Sequence, residues 1–124
     1  SRNNTHCYYL YPLKLNIEKI NLTREFIVNK LKKQGVPCLI EGYVNIHTLP
    51  MYTKKIAYGI KNFPWKSSFN KNKYIKKKEK LINAESLHKF SFFAIELCLH
   101  DFSEKDAHYI ASCFKKTWRE LGIK

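Results

Sequence analysis

The chain has 124 residues, of which 44% are hydrophobic, and its formal net charge at pH 7 is +13. This length is typical of about one domain and allows a buried core without disulfide or metal support. No run approaches the ~18 consecutive apolar residues of a membrane-spanning helix, and residues 1–6 lack the apolar core of a signal peptide. We therefore expect a single soluble domain over residues 1–124, located in the cytoplasm and without a membrane partner.

Most of the positive charge lies between Lys54 and Lys80, where ten lysines are accompanied by Glu79 as the one acidic residue. A segment this basic suits phosphate-bearing partners such as nucleic acid, a nucleotide or an anionic surface. The whole chain is also rich in Lys, Asn and Ile, and runs of lysine are commonly solvated surface. Both interpretations of the lysine cluster remain open at this stage.

The four cysteines, Cys7, Cys38, Cys98 and Cys113, are scattered along the chain, and each lies in or beside an apolar segment. They form no CxxC pair and no Cys-His cluster at zinc-ligand spacing. Because a free cysteine behaves as a small hydrophobic residue, we expect buried, unreactive thiols and no metal site.

The amino-terminal part of the chain predicts a strand followed by a helix. Aromatic and aliphatic residues favour a strand over Tyr8–Leu15, and Pro12 indicates that this strand lies at a sheet edge or carries a bulge. The helix begins after the N-cap residue Thr23 and ends at Gly35, which suits the C′ position. Its predicted buried face consists of Phe26, Ile27, the stem of Lys30, and Leu31.

A short second strand is expected over Val36–Glu41, and a long region rich in aromatic residues and lysines follows over residues 42–80. As far as Trp65 this region fits neither helical nor strand periodicity. Long irregular connections are uncommon in compact domains unless they line a site or are disordered, and this one holds too many aromatic residues to be disordered. We therefore expect the functional residues to lie in this loop region.

The carboxyl-terminal part predicts a helix over Ile82–Lys89, a strand over Phe90–Leu99 and a long final helix. The final helix begins at a capping box formed by Ser103 and Asp106. The inward-facing residues predicted for the first of these helices are Leu81, Ala84, Leu87 and His88. The apolar stripe of the final helix consists of Ala107, Ile110, Ala111, Phe114, Trp118 and Leu121.

The resulting order is strand, helix, strand, long loop, helix, strand, helix. This order indicates an α+β domain with a small three-stranded sheet packed against helices. So narrow a sheet is stable only when its faces are covered. Any apolar surface left open would therefore pack on something outside the chain.

Motifs that carry chemistry are scarce in this sequence. It has no glycine-rich phosphate loop, no Gly-x-Ser-x-Gly elbow, no His-Glu-x-x-His and no obvious pair of catalytic carboxylates. Three of the five histidines lie in or beside helix and strand patterns, where a surface or core role is typical. His47 differs because it lies in the loop region between Tyr43 and Tyr52, where its side chain is available for binding.

Six blocks of sequence occur in a characteristic order: His6–Leu15, Gly35–Cys38, Gly42–Gly59, Phe63–Trp65, Asn83–Leu87 and Ser103–Asp106. The third block is the most specific and reads Gly-Tyr-Val-x-x-His-x-Leu-Pro-Met-Tyr-x-Lys-Lys-Ile-Ala-Tyr-Gly. Together the blocks cover nearly the whole chain. They resemble the C-terminal domain of the DegT/StrS family, the pyridoxal-phosphate-dependent aminotransferases of nucleotide-linked sugars.

The resemblance implies a fold-type I aminotransferase, normally a homodimer, in which a large domain holds pyridoxal phosphate and the Schiff-base lysine. The small C-terminal domain closes over the active site and helps to bind the sugar nucleotide. The Tyr-x-x-x-His loop of the family carries over to Tyr43 and His47 as substrate-binding residues. The chain lacks the family's proline after this tyrosine, and Ile82-Asn83 stands where Cys-Pro often precedes Ala-Glu.

The family places its catalytic lysine, the acidic partner of the pyridine nitrogen and the ring-stacking residue upstream of this region. The resemblance therefore implies no catalytic and no cofactor-binding residue in this chain, which alone is expected to be inactive. Its implied partners are the large domain of the same polypeptide and a nucleotide-linked sugar. The implied process is the biosynthesis of surface polysaccharide or amino sugars.

Two other functions stay open on the residues alone. One is a nucleic-acid-binding module, since lysines alternate with aromatic residues as a stacking and phosphate groove requires. Its weakness is that the chain has only three arginines and no recognised RNA-binding signature. The other is a non-catalytic interaction domain derived from the aminotransferase small domain. The alternating residues are Lys61, Phe63, Trp65, Lys66, Phe69, Lys71, Lys73 and Tyr74.

Overall fold

A three-stranded antiparallel sheet organises the structure, a computed structural model that describes residues 8–58, 63–65 and 80–123. The strands are β1 (Leu10–Lys14), β2 (Leu39–Ile40) and β3 (Phe92–Glu96), and their order in the sheet is β1-β3-β2. Helices pack on this sheet, so the predicted α+β class with a small three-stranded sheet is confirmed.

The helices and strands alternate along the chain in the predicted order. Besides the expected helices, the loop region contains a 3₁₀ turn and one short α-helix, so its described part is less irregular than the sequence suggested. Pro50 explains the short helix, because proline is pre-organised for the first helical position. The elements are α1 (Arg24–Lys33), the 3₁₀ turn Ile46–Thr48, α2 (Pro50–Thr53), α3 (Ile82–Ser86), the π-turn Leu87–Ser91 and α4 (Glu104–Leu121).

The chain divides into two compact units. The first comprises Ser1–Gly42 and Leu87–Lys124, and the second comprises Tyr43–Ser86. The second unit coincides closely with the predicted loop region 42–80. The single domain expected over residues 1–124 stays a prediction.

Strand β1 lies at the edge of the sheet, as Pro12 predicted. The Leu15 N–H donates to the Ser91 carbonyl at 2.9 Å, and Leu13 pairs with Phe93. Odd-numbered residues of β1 therefore direct their backbone groups toward β3, and the ring nitrogen of Pro12 points away from it. A proline at that position costs no hydrogen bond of the sheet.

The core of the first unit lies between one sheet face and α1. Phe93 and Ile95 point to this face, and they form one cluster with Ile27 and Leu31. The prediction that Phe26 is buried is wrong, because its side chain is 50% exposed. Val28 is buried instead, so the inward face of α1 is rotated by about one residue from the predicted one.

Both ends of α1 are formed as predicted. The Thr23 hydroxyl accepts a hydrogen bond from the Phe26 N–H at 3.2 Å. After the last turn Gly35 adopts φ +99°, a conformation that favours glycine. A Cβ at residue 35 would also crowd the hydroxyl of Tyr109 on α4, which would have to move aside.

The thiols are less uniformly buried than expected. Cys113 is buried, and its sulfur lies 3.2 Å from the Gln34 carbonyl oxygen, to which it donates. Cys38 is half-buried and Cys98 is exposed, so the prediction fails for Cys98. The exposure follows from the end of β3 at Glu96, since Cys98 lies in the turn beyond it. Cys7 lies outside the described residues.

The segment before β3 departs most from the sequence expectation. The predicted helix continues only to Ser86, and the next five residues form a π-turn. A π-turn bonds residue i to i+5, so it shifts the helical face and breaks the 3.6-residue period. Leu87, predicted to face inward, is the first residue of this turn and is exposed. Leu81, also predicted to face inward, lies before the helix and is exposed as well. The strand is also shorter than predicted, because Phe90 lies in the π-turn.

Arg24 connects this π-turn to the first helix. Its Nη1 donates to the carbonyl oxygens of His88 and Phe92, the second at 3.2 Å. Its Nε lies 3.6 Å from a carboxylate oxygen of Glu41, and the side chain is 15% exposed. This half-buried guanidinium therefore satisfies one carbonyl group in the π-turn and one at the start of β3.

We expect Arg24→Met to lower the free energy of unfolding by about 2 kcal/mol, because it leaves half-buried carbonyl oxygens without a donor. Urea unfolding measures the change. Arg119→Met is the matched control, since Arg119 is exposed and lies in no ion pair among the described residues. Its effect should stay within about 0.5 kcal/mol. Equal losses in the two variants would contradict this role of Arg24.

The predicted capping box is present at the start of α4. The Ser103 hydroxyl donates to the Asp106 carboxylate at 2.6 Å, and the Ser103 N–H donates to it at 2.9 Å. The Asp106 N–H in turn donates to the Ser103 hydroxyl at 3.3 Å. The bonds from the Ser103 hydroxyl and N–H hold the pKa of Asp106 below its ordinary value of 3.8.

We expect Ser103→Ala to destabilise the protein by about 1 kcal/mol at neutral pH. Because the folded pKa of Asp106 is lowered, its contribution to stability is present above pH 3.8 and is lost as the pH falls through its folded pKa. The difference from wild type should therefore shrink in acid, as urea unfolding at neutral and acidic pH can show. Ser112→Ala, in mid-helix, is the control and should have a small, pH-independent effect.

Candidate functional site

The second unit contains both residues that the sequence analysis selected, Tyr43 and His47. His47 lies in the 3₁₀ turn that follows Asn45. The Thr48 N–H and hydroxyl both donate to the Asn45 carbonyl oxygen, at 3.0 and 2.7 Å. These two bonds close the turn and fix the backbone that carries His47.

Glu85 is the partner of His47. The Nε2 atom of His47 lies 3.1 Å from a carboxylate oxygen of Glu85, and the two side chains are 25% and 46% exposed. An ionised carboxylate only accepts hydrogen bonds, so Nε2 is the protonated nitrogen of this imidazole. The Nδ1 atom of the neutral ring therefore carries the lone pair and can accept a hydrogen bond from a ligand.

The two tyrosines that flank His47 in sequence have different environments. Tyr43 is 54% exposed. Tyr52 packs edge-on against Trp65, with ring centroids 5.5 Å apart. Tyr52 therefore stabilises the unit by packing, and Tyr43 is the more exposed of the two tyrosines.

A second aromatic pair connects separate parts of the same unit. The Tyr58 N–H donates to the Phe63 carbonyl oxygen at 3.1 Å, and their rings lie 6.4 Å apart. Both rings stay exposed, as do Val44, Ile46 and several neighbours. Exposed apolar surface of this kind marks a place where a substrate or a protein packs. The other large exposed apolar side chains of the unit are Met51, Tyr52, Ile56, Leu81 and Ile82.

Gly42 fixes the backbone just before Tyr43. It adopts φ +103°, and a Cβ there would lie 3.2 Å from the Phe92 ring and 3.3 Å from Nδ1 of His88. Both the left-handed backbone and the close approach require glycine. The conformation of the chain that leads to Tyr43 is therefore set by packing against the π-turn and β3.

The lysine cluster falls largely outside the described residues. Of the alternating lysine and aromatic residues, only Phe63 and Trp65 are described, so the nucleic-acid hypothesis stays a prediction. Lys54, Lys55 and Lys80 are described and are exposed. The undescribed lysines of the cluster are Lys61, Lys66, Lys71, Lys73, Lys76, Lys77 and Lys78.

The lysines of the described ranges do not fit a Schiff-base role with pyridoxal phosphate. Such a lysine needs a desolvated site or a neighbouring cation to make its amine nucleophilic. Lys30 is half-buried, but its Nζ lies 2.9 Å from a carboxylate oxygen of Glu120, which stabilises the ammonium form. All other described lysines are exposed.

Within residues 8–58, 63–65 and 80–123, no group of three or more His, Cys, Asp or Glu side chains is arranged to bind a metal ion. No helix in this part of the chain has the length and apolar character needed to cross a membrane.

Comparison with known proteins gives one partial similarity. A segment of 59 residues, 48% of the chain, is 32% identical to the uncharacterized protein MJ1066 of Methanocaldococcus jannaschii. The match spans 15% of the length of that protein. No family model matches the chain, and no solved structure matches it significantly. The similarity therefore indicates kinship with part of a much longer protein and does not assign a family.

The geometry of the His47–Glu85 pair predicts an observable ring proton. We expect nitrogen-resolved NMR of the neutral imidazole to show an Nε2–H of His47 that exchanges slowly with water, because Glu85 holds it. Glu85→Ala should abolish this slow exchange. Glu104→Ala is the control, since its partner His108 lies at 3.6 Å and both side chains are almost fully exposed. An unchanged His47 signal in Glu85→Ala would rule out the pairing.

Proposed function

We propose that the chain is the C-terminal small domain of a pyridoxal-phosphate-dependent aminotransferase that acts on a nucleotide-linked keto-sugar. The parent enzyme is a homodimer of the biosynthesis of surface polysaccharide or amino sugars. Its large domain holds the cofactor, which when bound activates the amino group for transfer. This chain closes over the active site and contributes contacts to the sugar nucleotide.

The observation that carries the proposal is the position of His47. It lies in the Tyr-x-x-x-His segment that resembles the family, and its imidazole is held by Glu85 at 3.1 Å within a unit whose apolar side chains are exposed. A substrate-binding imidazole needs this combination of a fixed ring and accessible surroundings. The α+β fold with its three-stranded sheet agrees with the proposal at the level of architecture.

The side chains then have distinct roles toward the substrate. The Nδ1 atom of His47 accepts a hydrogen bond from a hydroxyl of the sugar. The exposed Tyr43 donates its hydroxyl to the substrate or covers the apolar face of a sugar ring with its own. Exposed lysines such as Lys54 attract the diphosphate as solvated point charges.

The test uses the complete polypeptide that contains these 124 residues, assayed for pyridoxal-phosphate-dependent amination of nucleotide-linked keto-sugars. We expect His47→Ala to lower kcat/KM by roughly tenfold to a hundredfold, which corresponds to about 1.4–2.7 kcal/mol of lost transition-state binding. His108→Ala is the matched control because its side chain is 79% exposed and lies on α4. It should leave kcat/KM unchanged.

Two outcomes contradict different parts of the proposal. A complete polypeptide that binds no pyridoxal phosphate, or aminates no sugar nucleotide, would overturn the assignment as an aminotransferase. An active enzyme with equal kcat/KM in wild type and His47→Ala would remove His47 from the substrate site and leave the assignment in place.

A further inference from the structure

Helix α4 crosses one face of the sheet in the first unit and leaves two apolar hollows beside it. The hollow toward the start of the helix has a volume of about 490 Å³ and the one toward its end about 570 Å³. Leu13 and Phe114 line both, so the hollows adjoin at Phe114. We call this surface the α4 groove. Phe114 itself is held in place by stacking on Phe93, with ring centroids 6.4 Å apart.

The two halves of the α4 groove differ in charge. The first hollow carries no charged side chain, and its lining is apolar, including Leu97 and Ile110, apart from the hydroxyl of Tyr11. The second has an apolar floor that includes Trp118, and its rim carries the cations Lys14, Lys115 and Arg119. No carboxylate lines either hollow. Over residues 8–58, 63–65 and 80–123 none of the three cations lies within ion-pair distance of a carboxylate.

The apolar lining and the cationic rim of the α4 groove favour one kind of binding partner. Unneutralised cations beside an apolar floor favour a partner with both carboxylates and apolar side chains. A second copy of the chain is disfavoured, because a two-fold contact would place Lys115 and Arg119 against themselves in a molecule of charge +13. An added strand is disfavoured because Pro12 offers no N–H on the open edge of β1. An amphipathic helix meets all these conditions.

We propose that the α4 groove is a docking site for an acidic amphipathic helix from outside these 124 residues. Apolar side chains of that helix fill the hollows on either side of Phe114, and its carboxylates pair with Lys14, Lys115 and Arg119. The groove extends from Ala107 to Ile123, which is about 24 Å at 1.5 Å per residue. A helix of four to five turns matches that length. The inference does not depend on the aminotransferase assignment.

The test measures binding of two designed 16-residue peptides to the isotope-labelled chain by NMR. Both peptides have Leu at positions spaced alternately 3 and 4 residues apart, which form one face of a helix. At the positions beside these leucines one peptide has Glu and the other has Gln. We expect saturable binding of the Glu peptide, with shift changes centred on Leu13, Phe114 and Trp118. The Gln peptide should bind at least tenfold more weakly, and added salt should narrow that difference.

Reversing the charge of the rim cations tests whether they bind the carboxylates of the peptide. Lys115→Glu with Arg119→Glu should weaken binding of the Glu peptide at least tenfold, whereas Lys33→Glu with Lys89→Glu makes the same charge change at exposed residues of the same unit that line neither hollow, and should have little effect. Lys115→Gln with Arg119→Gln is a milder pair that separates lost binding from lost folding, and the spectrum of each free variant reports its fold.

Several results would overturn the proposal. They are failure of the Glu peptide to bind, equal binding of both peptides, or shift changes that lie outside the α4 groove. Concentration-dependent shifts of groove residues without peptide would assign the surface to a second copy of the chain instead. Equal competition by a small apolar anion such as anilinonaphthalene sulfonate would assign it to a small ligand.

Discussion

The guanidinium of Arg24 joins three parts of the first unit that are far apart in sequence. It reaches from the first turn of α1 to the carbonyl oxygens of His88 and Phe92 and lies beside Glu41. Glu41 is followed by Gly42, where the first unit ends, and His88 lies just after its return at Leu87. One side chain therefore stabilises the two points between which residues 43–86 are inserted.

Sequence reasoning succeeded where the cause of a structure is local. Thr23 and Ser103 cap their helices through bonds to residues three positions later, and both helix starts were predicted. Pro12 identified an edge strand because its missing N–H excludes a central position. The errors at Phe26 and Leu87 have a tertiary cause. Packing of α1 on Phe93 selects its buried face, and the His88 carbonyl in the π-turn accepts a hydrogen bond from Arg24, on a helix distant in sequence.

The candidate site likewise has residues that the sequence predicts and one residue that only the folded structure reveals. Tyr43 and His47 were selected from a resemblance to a known family and from their place in an aromatic loop. Glu85 lies in the block Asn83–Leu87, one of the six that resemble the family. Nothing in that block predicts a hydrogen bond to His47, which lies 38 residues earlier in the chain. Such a pairing is created by folding and has no local sequence signal. The structure adds this one residue to the site, and with it the direction in which the imidazole presents its lone pair.

Pro12 also limits how far the sheet can grow. An open strand edge with a full row of N–H and C=O groups is a template on which identical chains polymerise. In β1 the proline interrupts that row at the centre of a five-residue strand, so a neighbouring molecule finds no continuous ladder to extend. A three-stranded sheet would otherwise be exposed to aggregation at high concentration. The proline thus hinders edge-to-edge pairing between copies of the chain on this side of the sheet.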